Sequence, residues 1–178
     1  MNNFEKMHIL GISGSIRNNS SNGNILHAAF ALLPENFTFE IFDKLEQIPP
    51  FNPGADDNDV IKNFKKLVYK ANGVIICTPE YAFGVPGILK NLLDWTVSTG
   101  EFNQKPVCAI SASPLNSGGD KALASLLLTL TALGAKMNEQ SSLSIANVKM
   151  KLDDSGKVTD KSTVDQLKSQ ITNLLLLV

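Results

Sequence analysis

Residues 10–22 read LGISGSIRNNSSN, an apolar strand that runs straight into a loop of Gly, Ser and Asn carrying a single arginine. Downstream, Ile25, Leu26, Ala29, Phe30, Leu32 and Leu33 recur at helical spacing, so the stretch opens a strand–loop–helix unit. The loop is rich in donors. Ser13, Ser15, Ser20 and Ser21 offer hydroxyls, Asn22 and its neighbouring asparagines offer amides, and Arg17 brings a planar charged fork. Gly14 lets backbone amides approach closely, and the helix beginning near Asn22 or Asn24 adds unpaired N–H groups and a dipole that favours an anion. No Asp or Glu occurs between Glu5 and Glu35. Helix starts usually welcome carboxylates, so their absence points to an anion supplied from outside, a single phosphate group. The same residues also fit a polar turn closed by a helix N-cap. Two other phosphate loops are excluded, because Gly-Lys-Ser/Thr is absent and Gly11 and Gly14 do not make GxGxxG.

Working outward, strand and helix alternate along the chain. Met7 to Ser13 and Phe37 to Phe42 read as strands, the second alternating enough to lie near a sheet edge. Gly73 to Thr78 and Pro106 to Ser113 are apolar without alternation, as strands covered on both faces are. A fifth strand is expected over Met137 to Leu143. Helices are expected over Ile25 to Leu33 (closed by Pro34), Asp59 to Ala71, Pro86 to Ser98, Lys121 to Leu133 and Thr163 to Leu177. The polar stretch Asn147 to Asp160 reads as turns. This order predicts an α/β fold, a doubly wound, flavodoxin-like parallel sheet of five strands in the order 2-1-3-4-5 with helices on both faces. Residues 1–178 are expected to form one domain.

Composition narrows the function. The chain is 43% hydrophobic and 19% charged with a formal net charge of -1, which leaves no electrostatic footprint for nucleic acid or an anionic membrane. The opening MNNFEK lacks the regions of a signal peptide, and no apolar run reaches spanning length, so a cytoplasmic protein is expected. Cys77 and Cys108 sit in apolar runs, where cysteine acts as a small hydrophobe. His8 and His27 stand alone in a strand and a helix and read as structural, and no cluster has metal-ligand spacing.

In a parallel sheet of this order, ligands bind beyond the carboxyl ends of the strands where strand order reverses. The loops after strands 1, 3 and 4 should meet there. The second of them, TPEYAFGVPG at Thr78 to Gly87, displays Tyr81 and Phe83 among residues that force tight turns. Pro79, Glu80, Tyr81, Ala82, Phe83 and Gly84 suit a flat aromatic ligand, with backbone groups at its rim and side chains over its face. The competing reading is that Tyr81 and Phe83 plug the core or a subunit contact. The third loop, SPLNSGGDK, offers Ser113 and Gly118 beneath a helix start, either to the edge of a ring or as a plain turn. A phosphate at one end and a flat hydrogen-bonding ring at the other describe flavin mononucleotide.

At this point the residues resemble a known family. GSIRNNSSN is similar to the GSxRxxSxN phosphate motif of NADPH-dependent FMN reductases, and TPEYAFGVPGILKNLLDW to their PEYNxSxPGxLKNxxDW motif. The FNP loop after strand 2 and the SGGDKA stretch extend the resemblance over nearly the whole chain. It implies that Ser15, Arg17, Ser20 and Asn22 hold the FMN phosphate, that Pro79, Glu80 and Tyr81 frame the isoalloxazine, and that Ser113 and Gly118 contact its other side. NADPH or NADH would donate hydride, and a flavin, quinone, azo compound or similar small acceptor would take the electrons. The chemistry would be the flavin's own, with no catalytic side chain assigned. A homodimer or homotetramer is implied as well. Two positions depart from the family pattern: Ala82 stands where Asn is usual and Lys121 where Arg is common. Competing readings are a flavodoxin-like electron carrier and an α/β binding domain without flavin. Asn91 and Asp94 read as ties between their helix and nearby loops, with Trp95 packed in a core or subunit contact.

Overall fold

A computed structural model describes residues 6–178, so most of the opening hexapeptide lies outside the described residues. Five strands, β1 (Met7–Ser13), β2 (Phe37–Phe42), β3 (Gly73–Thr78), β4 (Val107–Ala112) and β5 (Ser142–Ile145), form one sheet in the order β2-β1-β3-β4-β5. Every neighbouring pair is parallel. The expected topology is the observed one.

Alternation within the strands builds two cores. Leu10, Ile12, Val74, Ile76, Val107 and Ala109 point to one face and pack on α2 (Asp59–Lys70), α3 (Gly87–Asp94) and α4 (Asp120–Ala132). Ile9, Ile75, Cys77, Cys108 and Ile110 point to the other, under α1 (Ser21–Phe30) and α5 (Lys161–Leu177). β3 and β4 are buried along their whole length, which is why they read as unbroken apolar runs. At Gly11 a Cβ would lie 2.5 Å from the Phe30 ring. The glycine lets that ring cross the strand and stack on Phe39 at 4.3 Å.

Several element ends differ from the sequence reading. The first helix spans Ser21–Phe30, starting one residue before Asn22 because Ser20 caps it by accepting from the Gly23 N–H at 3.0 Å, and ending short of Leu33. At its far end Leu32 and Leu33 make only three-residue turns, and the following Pro34 disfavours a helical Leu33. Helix α3 starts at Gly87 with Pro86 as its extended N-cap and stops at Asp94; residues 95–98 continue as turns, tightened by Thr96 Oγ1 donating to the Leu93 carbonyl. The fifth strand is shorter and later than Met137 to Leu143. Asn138 accepts from Gln140 and Ser141 and closes a turn over residues 138–141, leaving only Ser142–Ile145 to pair with β4.

The FNP loop is positioned from α3. Asn91 accepts from the Phe51 N–H at 2.7 Å and donates to the Pro49 carbonyl, which Trp95 Nε1 also reaches. Trp95 is buried and meets Phe51 edge-on at 5.4 Å. Asn91 and Trp95 are therefore structural ties, whereas Asp94 pairs with Lys90 one turn away.

Candidate functional site

The loop after β1 is braced from within. The Ser15 N–H donates to Ser13 Oγ and the Arg17 N–H to Ser15 Oγ, while Asn19 turns the chain at φ 53°. The loop is also pressed against its neighbour: the Gly14 N–H donates to the Cys77 carbonyl at 2.8 Å, and a Cβ there would lie 2.9 Å from Thr78 Oγ1. Only glycine permits this approach. Ser20 Oγ is the cap of α1, and its own hydrogen finds no acceptor among the described residues. The first helical N–H groups, of Ser21 and Asn22, find no acceptor among the described residues, and the first turn holds no carboxylate. Arg17 is exposed and has no carboxylate within ion-pair distance among the described residues.

Asn22 has a different task. Its side chain is buried, donating to the Ala112 carbonyl and accepting from Cys77 Sγ at 3.2 Å. It pins α1 to β3 and β4, so only its backbone N–H is left without an acceptor among the described residues. The thiol that it holds is pushed upward in pKa by burial and by nearby Cys108, and remains a neutral donor.

The loop after β3 contains a two-residue reversal in which Tyr81 and Gly84 exchange both backbone hydrogen bonds at 3.0 Å. Ala82 (φ 49°) and Phe83 (φ 60°) form its centre, the geometry of a type I′ turn. Tyr81 is 53% exposed and Phe83 79%, so neither ring plugs the core. Glu80 reaches across to the third loop: its carboxylate accepts from the Ala122 N–H at 2.9 Å. Gly119, the N-cap of α4, has no side chain to do this, and Glu80 supplies the missing cap. Gly118 is held at φ 65°, with a Cβ there only 2.3 Å from Ser144 Oγ, and Ser111 donates to its carbonyl. Ser113 is buried beside the site and accepts from the Leu115 N–H.

One cavity of about 410 Å³ joins these loops, within the range of ligand sites. Ser15, Arg17, Ser20, Ser21 and Asn22 line one end; Pro79, Glu80, Tyr81 and Ser113 line the other. Ala82, Phe83, Gly84 and Gly118 lie outside its lining and shape the turns that carry it. Asn19, one of the asparagines of the first loop, also lines it, and Ala112, Pro114, Leu115, Val148 and Lys149, which the sequence reading missed, complete the walls. Pro114 and Leu115 fall within the third loop, but no local signal marked residues 148–149. They reach the site because the Val148 N–H donates to the Ser113 carbonyl and the Asn147 N–H to that of Leu115.

The model of a protein family described as NADPH-dependent FMN reductase matches residues 7–149. The chain belongs to this family. As a member it is an oxidoreductase that works with FMN and a reduced nicotinamide. The chain is 28% identical over 177 residues to an NAD(P)H-dependent FMN reductase of Pseudomonas aeruginosa, covering 97% of this chain and 95% of that one. It is 27% identical over 175 residues to a quinone reductase of Escherichia coli K12, covering 94% and 93%. An NADPH azoreductase of a Bacillus species is 36% identical over 106 residues, covering 58% of this chain and 59% of the other. Among solved structures, the flavoenzyme NAD(P)H:acceptor oxidoreductase FerB from Paracoccus denitrificans shares the fold with a TM-score of 0.85 at 24% identity, over 95% of both chains.

The cavity fits this cofactor by its own chemistry. Free N–H groups, hydroxyls and an uncommitted guanidinium at one end suit a phosphate, and at the other Pro79 and Tyr81 offer apolar surface beside main-chain polar groups for a ring.

Proposed function

We propose that this protein transfers electrons from NADPH or NADH, by way of bound FMN, to small planar acceptors such as flavins, quinones or azo compounds. The observation that carries this reading is the single cavity that joins the unsatisfied donors at the start of α1 to the Tyr81 turn. In this assignment Arg17, the hydroxyls of Ser15, Ser20 and Ser21, and the N–H groups of Ser21 and Asn22 bind the phosphate. Pro79, Glu80 and Tyr81, with the turn Ala82–Phe83–Gly84, set the plane of the ring, and the loop of Ser113 and Gly118 borders its other edge. When bound, FMN supplies the hydride acceptor and passes the electrons on. The chain's own residues bind and orient, and backbone dipoles of the second and third loops stabilise negative charge at the ring edge. No side-chain acid, base or nucleophile is needed.

Residues 1–178 are read as one FMN-binding domain acting in the cytoplasm. No helix among the described residues is long and apolar enough to cross a membrane. Exposed Phe83 and Val97 support a homodimer or homotetramer with the flavin site beside the contact, an assembly that light scattering would reveal.

The test is the visible spectrum of FMN-loaded, desalted protein followed anaerobically as NADPH or NADH is added. Retained yellow colour that bleaches on addition supports the reductase. Colour that persists with both nucleotides indicates a carrier reduced by another protein, and failure to retain FMN overturns the reading. Arg17→Ala is expected to weaken FMN by about 10–100-fold, from the loss of a charge-assisted contact, and to spare riboflavin. Equal weakening of both flavins would remove Arg17 from the phosphate site.

A further inference from the structure

The phosphate end is short of positive charge. A phosphomonoester carries about -1.5 to -2 at neutral pH, and the loop brings only Arg17, helped by roughly half a charge from the start of α1. A second cation reaches the same place from the far end of the chain. Lys149 lines the cavity with Ser15, Arg17 and Ser20, and also an adjoining cleft of about 390 Å³ with Asn19, Ser21 and Asn24. It therefore shares one lining with the loop that carries Arg17 and another with the first turn of α1.

We propose that Lys149 is the second cationic ligand of the FMN phosphate, an assignment that rests on the FMN reading above. The backbone around it is fixed. Asn147 turns at φ 51°, its N–H donates to the Leu115 carbonyl at 3.2 Å, and the Val148 and Met150 N–H groups donate to Ser113 and Asn147 at 3.0 and 2.9 Å. The side chain, by contrast, is exposed and uncommitted: no carboxylate lies within 4.0 Å of its ammonium among the described residues. Two carboxylates border the same cleft, Asp153 and Asp154. Asp153 is already engaged, its Oδ1 accepting from the Ser155 N–H and hydroxyl and from the Lys157 N–H at 2.9, 2.6 and 3.0 Å. Nearby Lys151 turns instead to Asp160, 3.8 Å away. Lys149 is thus a held but unspent cation at a site that binds a dianion.

The experiment compares FMN with riboflavin, which lacks the phosphate, by flavin fluorescence quenching on flavin-free wild type, Lys149→Ala and Lys149→Arg. Lys149→Ala is expected to weaken FMN about 10-fold and leave riboflavin within twofold, with Lys149→Arg recovering most of the loss. Unchanged FMN affinity in Lys149→Ala would overturn the proposal, as would equal weakening of both flavins, which would mark a structural role. A rise in the KM for NADPH alone, with FMN affinity intact, would overturn it too by moving the lysine to the nucleotide. Failure of the wild type to bind FMN would remove the cofactor reading itself, and is distinguished by needing no variant.

Discussion

Ala82 occupies a left-handed conformation at φ 49° that alanine adopts only at a cost of about 1–2 kcal/mol. Asparagine, the family's usual residue there by the resemblance of the PEY motif, tolerates this region because its side chain can bond locally. The departure is thus a matter of backbone strain at least as much as of a lost side-chain contact. Ala82→Asn is expected to raise stability by about 1 kcal/mol, or about 2–4 °C in Tm for a chain of this size, with FMN binding retained. A lowered Tm would show that something other than the turn's backbone governs position 82. Asn22 teaches the converse lesson. Its residue type and place in the motif were legible, but its side chain is spent on Cys77 and Ala112 inside the molecule. Nothing local distinguishes an asparagine that faces a ligand from one that faces the sheet.

Helix α4 begins at a left-handed glycine without a capping side chain, and its cap is lent by Glu80 from another loop. One hydrogen bond therefore couples the stability of an element to the shape of the cavity. Glu80→Ala is expected to cost about 0.5–2 kcal/mol in denaturant unfolding and to weaken both FMN and riboflavin, since the second loop is freed at the ring end. Glu80→Gln keeps an acceptor oxygen and should recover most of the loss; a glutamine variant as unstable as the alanine one would mean that charge, rather than the bond, is what matters. Strands were the most legible elements. The bounds of β1, β2 and β3 match the sequence reading because β3 is buried on both faces and β1 and β2 end at clear turn residues. The fifth strand was misplaced because the apolar spacing of Met137 and Leu143 says nothing of the asparagine network at Asn138 and Asn173 that turns the chain between them.

Across the whole molecule the sheet separates two cores, and both cysteines lie in the one beneath α1 and α5. Burial pushes the Cys108 thiol up to about 12 and raises Cys77 as well. An unfolded thiol titrates near 8.5, so the folded state holds protons that the unfolded state gives up above that pH. The associated stability is complete below about pH 8.5 and is lost as pH rises through the folded values. Native protein at pH 8 should leave both thiols unreactive to a disulfide reagent, with both reacting in guanidinium, and its Tm should fall between pH 8.5 and 11. Rapid labelling of the native protein would contradict the burial of this core. By itself the sequence determined the alternation of strands and helices and the chemistry of the three loops, because these depend on hydrophobic period and turn residues within a few positions of one another. Only the tertiary structure decided where each polar group is placed: Asn22 inward, Glu80 onto α4, and Lys149 in the wall of the cavity. A side chain's partner is chosen by what the fold brings across the sheet, and that contact is written nowhere in the residues on either side of it.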